Sequence, residues 1–493
     1  MHAMPATLFL TTLLAAWLAA APTARADTPP LQFKPCRLQG LEHDAQCSTL
    51  RRPLDPATPQ GVQIDVHFAV LPALARNKKP DPVFFFAGGP GQSAMSLAGP
   101  VSRLVARLGN RRDVVLIDQR GTGKTAPLHC EADRPTQPLA ESVDPARQLR
   151  RLQTCRAALE KLPHGDLRQY TTTIAMQDAD AVRQALGAQK INLVGGSYGT
   201  RAALEYMRQF PAAVRRVVLD GVAPPDMVLP ASFSTDTQAA FDGLLAACEA
   251  DAPCAVRYPA LRRDWHALLV SLPRDITLLH PVTAQPEKFI LTRDTLLSMV
   301  RGPLYVPALS AALPLALGEA TRGRLEPLAG LSSAFAGGGR TGALSAGMHF
   351  SVVCAEDAPR LAQAPDRPGG DFGSSFAQFY VKVCADWPRG SAPPAFYTLP
   401  AAPAATLVLS GGMDPATPPR HGDRVTQALG AKARHVVVAH AGHGVMGVGC
   451  MRDVMFRFID AADDDSALKV DADCAKAIPR PTVFVPVTDG AAR

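Results

Sequence analysis

The chain has 493 residues, 47% of them apolar and 19% charged, a balance that fills a large core and excludes a disordered or fibrous protein. Its 51 basic and 44 acidic residues leave a formal charge of +7. The basic residues are scattered as isolated pairs such as Arg111-Arg112 and Arg215-Arg216, with no stripe that could follow a phosphate backbone, so no nucleic-acid partner is expected.

Residues 1–26 read as a signal peptide. The apolar run LFLTTLLAAWLAAA is followed by Ala24-Arg25-Ala26, an A-x-A cleavage site, although MHAMPAT before it carries no Lys or Arg. The run is shorter than the roughly 18 apolar residues that a membrane span needs. Export to the periplasm or medium is therefore expected, with no membrane attachment once the segment is removed. The other long apolar stretch, PLYVPALSAALPLALG (303–318), holds three prolines that would break a spanning helix.

Ten cysteines suit an oxidising compartment. Sequence neighbours would pair Cys36 with Cys47, Cys130 with Cys155, Cys248 with Cys254, Cys354 with Cys384 and Cys450 with Cys474. Sequence alone leaves that connectivity open. No metal site is expected, since neither HExxH nor closely paired cysteines occur and the twelve histidines are dispersed.

Along the mature chain, PVFFFAG, DVVLID, INLVGG, RRVVLDG, ATLVLSGG and HVVVAH are short apolar runs without polar alternation, as expected of strands covered on both faces of a mainly parallel sheet. Helical segments such as MQDADAVRQALGA and TRAALEYMRQF lie between them, which predicts an α/β fold with right-handed crossovers. The alternation stops after DGVAPPD (220–226) and resumes at ATLVLSGG (405–412). Residues 27–224 and 401–493 are therefore expected to form the sheet-containing core. Residues 225–400 are expected to form a mostly helical cap over the carboxyl edge of the sheet, where such sheets place their ligand sites.

INLVGGSYGTRAALEY (191–206) places Ser197 in G-x-S-x-G between a strand and a helix, a turn that exposes a serine hydroxyl as a nucleophile. Such a hydroxyl needs a base oriented by an acid, which in this arrangement follow in the order acid, histidine. Asp414, in SGGMDPATPP, follows one predicted strand, and His443, in AHAGHGVMG, follows the next. His440 and His435 are rivals for the base, and Asp220 is the reserve acid. Asp118 also ends a strand, where it could brace a loop. The oxyanion of acyl transfer would be met by the amide of Tyr198 and one from AGGPGQS (87–93), Gly89 first and Gly88 second.

Two glycine patterns are set aside. GTGKT (121–125) has Asp118 where a phosphate loop needs glycine, and GHGVMG (442–447) is followed by no βαβ unit.

AGGPGQS, DQRGTGKT, GGSYG, SVVCAED (351–357), SGGMDPATPP and GHG with the later cysteines together resemble the α/β-hydrolase fold. Within it they are similar to secreted proline iminopeptidases and tripeptidyl aminopeptidase-like serine peptidases. The resemblance implies a triad of Ser197, Asp414 and His443, no cofactor, and a peptide substrate with a free N-terminus. Buried carboxylates would hold that terminus, with Glu356 and Asp357 as candidates. Ala87 stands where the iminopeptidase pattern HGGPG has histidine, so a preference for proline is not implied. A carboxylesterase or lactonase using the same triad is the alternative, and a binding protein that has lost the chemistry is a third reading.

Overall fold

VFFF and VVLI are buried at every position and form adjacent parallel strands at the centre of the molecule. In this computed structural model the described residues are His2, 31–337, 344–364 and 370–485. The expected signal peptide, apart from His2, lies outside them.

The strands in chain order are β1 (Lys34–Cys36), β2 (Ala45–Pro53), β3 (Gln63–Leu71), β4 (Val83–Phe86), β5 (Val114–Ile117), β6 (Ile191–Gly196), β7 (Val214–Asp220), β8 (Arg274–Leu279), β9 (Pro286–Leu291), β10 (Thr406–Gly411) and β11 (Ala433–Val438). Nine of them form one sheet in the order β1-β2-β3-β5-β4-β6-β7-β10-β11. Pairing is parallel from β5 to β11 and antiparallel among β1, β2, β3 and β5. The six predicted apolar runs are the parallel strands β4, β5, β6, β7, β10 and β11.

Alternate side chains of these strands feed two cores on opposite faces of the sheet. Phe84, Phe86, Val115 and Ile117 join one, and Val83, Phe85, Val114 and Leu116 join the other. The antiparallel β2 and β3 extend the sheet beyond the predicted strands. QIDVHFAVL in β3 alternates in burial along its first half, as befits a strand near the sheet margin.

Residues 225–400 contribute helices that include Ala231–Ala250, Arg293–Leu304, Ala346–Glu356 and Ser375–Ala385, together with the β8–β9 hairpin, which the sequence pattern does not announce. A separate apolar cluster around Phe241 and Trp265 supports this segment. Its contacts with the sheet edge are direct: Ser345 donates its N–H to Gly91 O at 2.8 Å, and the Tyr305 carbonyl accepts the His443 N–H at 3.0 Å.

All ten cysteines are in disulfides: Cys36–Cys47, Cys130–Cys155, Cys248–Cys254, Cys354–Cys384 and Cys450–Cys474. Among the described residues no helix is long and apolar enough to cross a membrane.

Candidate active site

Ser197 ends β6 and begins the helix Tyr198–Gln209 with φ 56° and ψ −126°, a left-handed conformation that a residue with a side chain adopts only where its surroundings enforce it. Those surroundings are backbone. A Cβ on Gly199 would collide with the Phe86 carbonyl oxygen, so only glycine lets this helix approach β4. The Ser197 N–H is fixed by the Asp220 carbonyl at 2.8 Å. The hydroxyl does not cap the helix that follows it and stays available for other contacts.

Asp414 follows β10 in a turn that buries its carboxylate. Its Oδ1 accepts the N–H groups of Ala416 at 2.8 Å and Thr417 at 2.9 Å, and its Oδ2 accepts the Thr417 hydroxyl at 2.8 Å. Oδ2 also lies 2.8 Å from His443 Nδ1. Burial opposes ionisation of this carboxyl, but His443 and the backbone N–H groups of Thr417 and Ala416 outweigh it and hold its pKa below the ordinary 3.8. For His443 burial favours the neutral ring, yet Asp414 prevails and raises its pKa above 6.5. Nδ1 thus carries a proton directed at Asp414, which leaves Nε2 as the basic nitrogen.

The imidazole is placed by three contacts. Tyr305 meets it edge-on with ring centres 5.1 Å apart. Its backbone N–H is held by the Tyr305 carbonyl. Its Cε1 would lie 3.2 Å from a Cβ built on Gly221, the residue after Asp220. Ser197 and His443 therefore both abut the end of β7, one through the Asp220 carbonyl and the other through Gly221.

Asp220, the reserve acid, does something else. Its carboxylate accepts the N–H groups of Val445 and Met446, with the shortest distances at 2.8 Å, and so braces the loop that carries His443. Burial raises its pKa to about 6 despite those donors. Asp118 braces the glycine loop in the same way, accepting the Ser93 hydroxyl at 2.6 Å. The rival histidines do not meet Asp414. His435 is taken up by Asp423 and Ser410, at 2.8 and 2.9 Å, and His440 is exposed.

Tyr198 is the first residue of its helix, so its N–H has no acceptor within that helix. Of the two loop glycines, Gly88 lies nearer the serine: a Cβ built on it would be 3.2 Å from Ser197 Cβ. Gly89, at φ 112°, faces Gly91 and Leu344 instead.

Glu356 and Asp357, the carboxylates proposed for the substrate N-terminus, are paired within the fold. Both are fully buried, but they face Arg201, one turn along the helix from Ser197, and not an open pocket. Arg201 Nη1 donates to Asp357 Oδ2 at 2.9 Å and Nη2 to Asp357 Oδ1 at 3.2 Å, while Glu356 Oε2 lies 3.5 Å from Nη1. Thr172 fills the remaining capacity of Glu356, through its N–H at 2.7 Å and its hydroxyl at 3.0 Å. The carboxylates expected to receive an ammonium are committed to an internal cation. TRAALEY reads as ordinary helix, and nothing in it announces that its arginine points inward.

Among the described residues no group of three or more side chains could hold a metal ion. The arrangement of Ser197, His443 and Asp414 suits proton transfer and acyl chemistry.

Fold and site together define a serine hydrolase with the α/β-hydrolase architecture. Residues 81–248 match the family model described as alpha/beta hydrolase fold, and residues 369–470 match that of the TAP-like proteins. Two separate segments of the chain thus match α/β-hydrolase-type family models, the second of them the TAP-like one. It is 27% identical to serine protease Hip1 of Mycobacterium tuberculosis, across 82% of this chain and 83% of that protein. It is 31% identical to the tripeptidyl aminopeptidase of Streptomyces lividans across 42% of this chain and 41% of that one. Carboxylesterase B of Mycobacterium tuberculosis is 28% identical over 78% of each chain.

Proposed function

We propose that this chain is an exported serine peptidase that releases short units from the free N-termini of peptides through an acyl-enzyme on Ser197. The observation that carries this reading is the 2.8 Å contact between His443 Nδ1 and Asp414, made by a ring packed on the same strand end that holds Ser197. His443 Nε2 accepts the hydroxyl proton as Ser197 Oγ attacks the scissile carbonyl. The oxyanion is met by the amides of Tyr198 and of Gly88 or Gly89. The imidazolium returns its proton to the leaving amine, and water releases the acyl group by the same steps in reverse. Asp414 keeps the ring in the productive tautomer throughout.

Five disulfides and the secretory pattern of residues 1–26 support export. The names of two relatives, a serine protease and a tripeptidyl aminopeptidase, support peptides as substrates. The segment 225–400, as a cap over the sheet edge, would favour chain ends over internal segments.

One observation favours a second reading. Glu356 and Asp357 are engaged by Arg201, which removes the expected receptor for an N-terminal ammonium, and one relative is named a carboxylesterase. Mass spectrometry of a peptide pool incubated with the purified protein separates the two. Progressive shortening from free N-termini, abolished by N-acetylation, is the expected result. Turnover of short acyl esters with no peptide shortened would establish the esterase.

A further inference from the structure

A continuous chain of contacts leads from Ser197 to His443. Gly88 lies against Ser197, and two residues on, the Pro90 carbonyl accepts a hydrogen bond from His349 Nδ1 at 3.1 Å. His349 Nε2 meets the Tyr380 hydroxyl at 2.8 Å, and the Tyr380 ring packs on Phe376 at 5.2 Å. Phe376 covers the Arg301 guanidinium at 4.7 Å, and Arg301 Nη2 donates to the Tyr305 hydroxyl at 3.1 Å. Tyr305 ends the chain on the His443 ring.

Within this wall Arg301 is the exceptional group. Phe233 also lies against it at 4.6 Å, with the Phe233 and Phe376 ring centres 5.9 Å apart, so two adjacent rings line the guanidinium. Ring faces orient a cation without neutralising it. No carboxylate pairs with Arg301 among the described residues, and its Nε is buried without a partner. Three acids of this region are paired elsewhere: Asp414 with His443, Asp236 with Arg420 and His421, and Asp357 with Arg201. Burial pushes the His349 pKa down to about 4, so that ring is neutral and adds no second cation.

A half-buried, immobilised and unpaired guanidinium is a poor neighbour for an ammonium and a ready receptor for a planar anion, which it can bind through two parallel N–H donors. We infer that Arg301 reads a carboxylate on the substrate, an acidic side chain or a free C-terminus close to the scissile bond. This rests on the proposed hydrolysis at Ser197 and names the substrate class of that site.

The test compares kcat/KM within matched peptide pairs, Glu against Gln in the side-chain arm and free against amidated C-terminus in the other. Wild-type protein should favour the carboxylate-bearing member of at least one arm by about 10- to 100-fold, the span expected of a charge-assisted pair. The arm that responds identifies the source of the carboxylate. Arg301→Gln should bring that ratio near one, and Arg301→Lys should retain part of it, because each ratio is internal to one protein and independent of how much of it folds. Equal rates within both wild-type pairs would overturn the inference, as would a ratio that survives Arg301→Gln. Fluorophosphonate labelling of Ser197 in the same preparation keeps the two ideas apart. Labelled protein with no carboxylate preference defeats the Arg301 assignment alone, whereas unlabelled active protein defeats the proposed chemistry.

Discussion

The carboxylate of Asp414 lies 2.8 Å from His443 Nδ1, with all its other hydrogen-bonding capacity taken by its own turn. It can swing neither to solvent nor to another partner, so the imidazole orientation follows from the backbone of residues 414–417.

Because Asp414 raises the His443 pKa above 6.5, the neutral ring needed as a base is lost as pH falls through that raised value. The acid limb of kcat/KM should therefore have its midpoint above 6.5. Asp414→Asn should lower kcat by about 10⁴-fold, and the midpoint of its residual activity should move to lower pH. Rate profiles of both proteins check this.

Arg201 is surrounded by two buried carboxylates, so deleting the cation alone strands them. Arg201→Met should destabilise the protein by about 3–5 kcal/mol in denaturant titration. Replacing Arg201, Glu356 and Asp357 together by apolar residues should recover most of that loss, because no buried charge is then left unpaired.

Burial also raises the Glu356 pKa to about 7 from the ordinary 4.5, the attraction of Arg201 notwithstanding. A raised folded-state pKa stabilises fully below 4.5 and loses that contribution as pH rises through about 7. Glu356→Gln should flatten the decline in stability across that window, measured as the difference in unfolding free energy from wild type.

Asp220 ties the His443 loop to the strand end beneath Ser197. Asp220→Ala leaves the amides of Val445 and Met446 without their acceptor, at a cost of about 1–3 kcal/mol for each group that stays buried and unpaired. Kinetics should show a fall in kcat with KM little changed, and Asp220→Asn, which keeps one acceptor oxygen, should lie between.

Much of the site is legible in the sequence for a definite reason. Ser197, Asp414 and His443 each follow an apolar strand directly, in turns of small residues, and parallel strands buried on both faces are the most readable elements of an α/β chain. β2 and β3 escape such a reading: QIDVHFAVL interleaves polar residues through its first half, and AQCSTLRRP in β2 has no apolar run. The Arg201 partner of Glu356 and Asp357 is not legible in the sequence, because it stands 155 and 156 positions away, inside a helix whose pattern does not reveal which face carries it. Arg301 is hidden for the same reason: the rings that line it, Phe233 and Phe376, are far apart in the chain.

The most direct measurement is to treat the folded protein with a fluorophosphonate and map the modified peptide by mass spectrometry, alongside Ser197→Ala and His443→Ala. One adduct on Ser197 is expected, missing from Ser197→Ala and greatly slowed in His443→Ala. Hydrolysis that persists undiminished in Ser197→Ala, or an adduct on another serine of the active protein, would contradict the proposed chemistry.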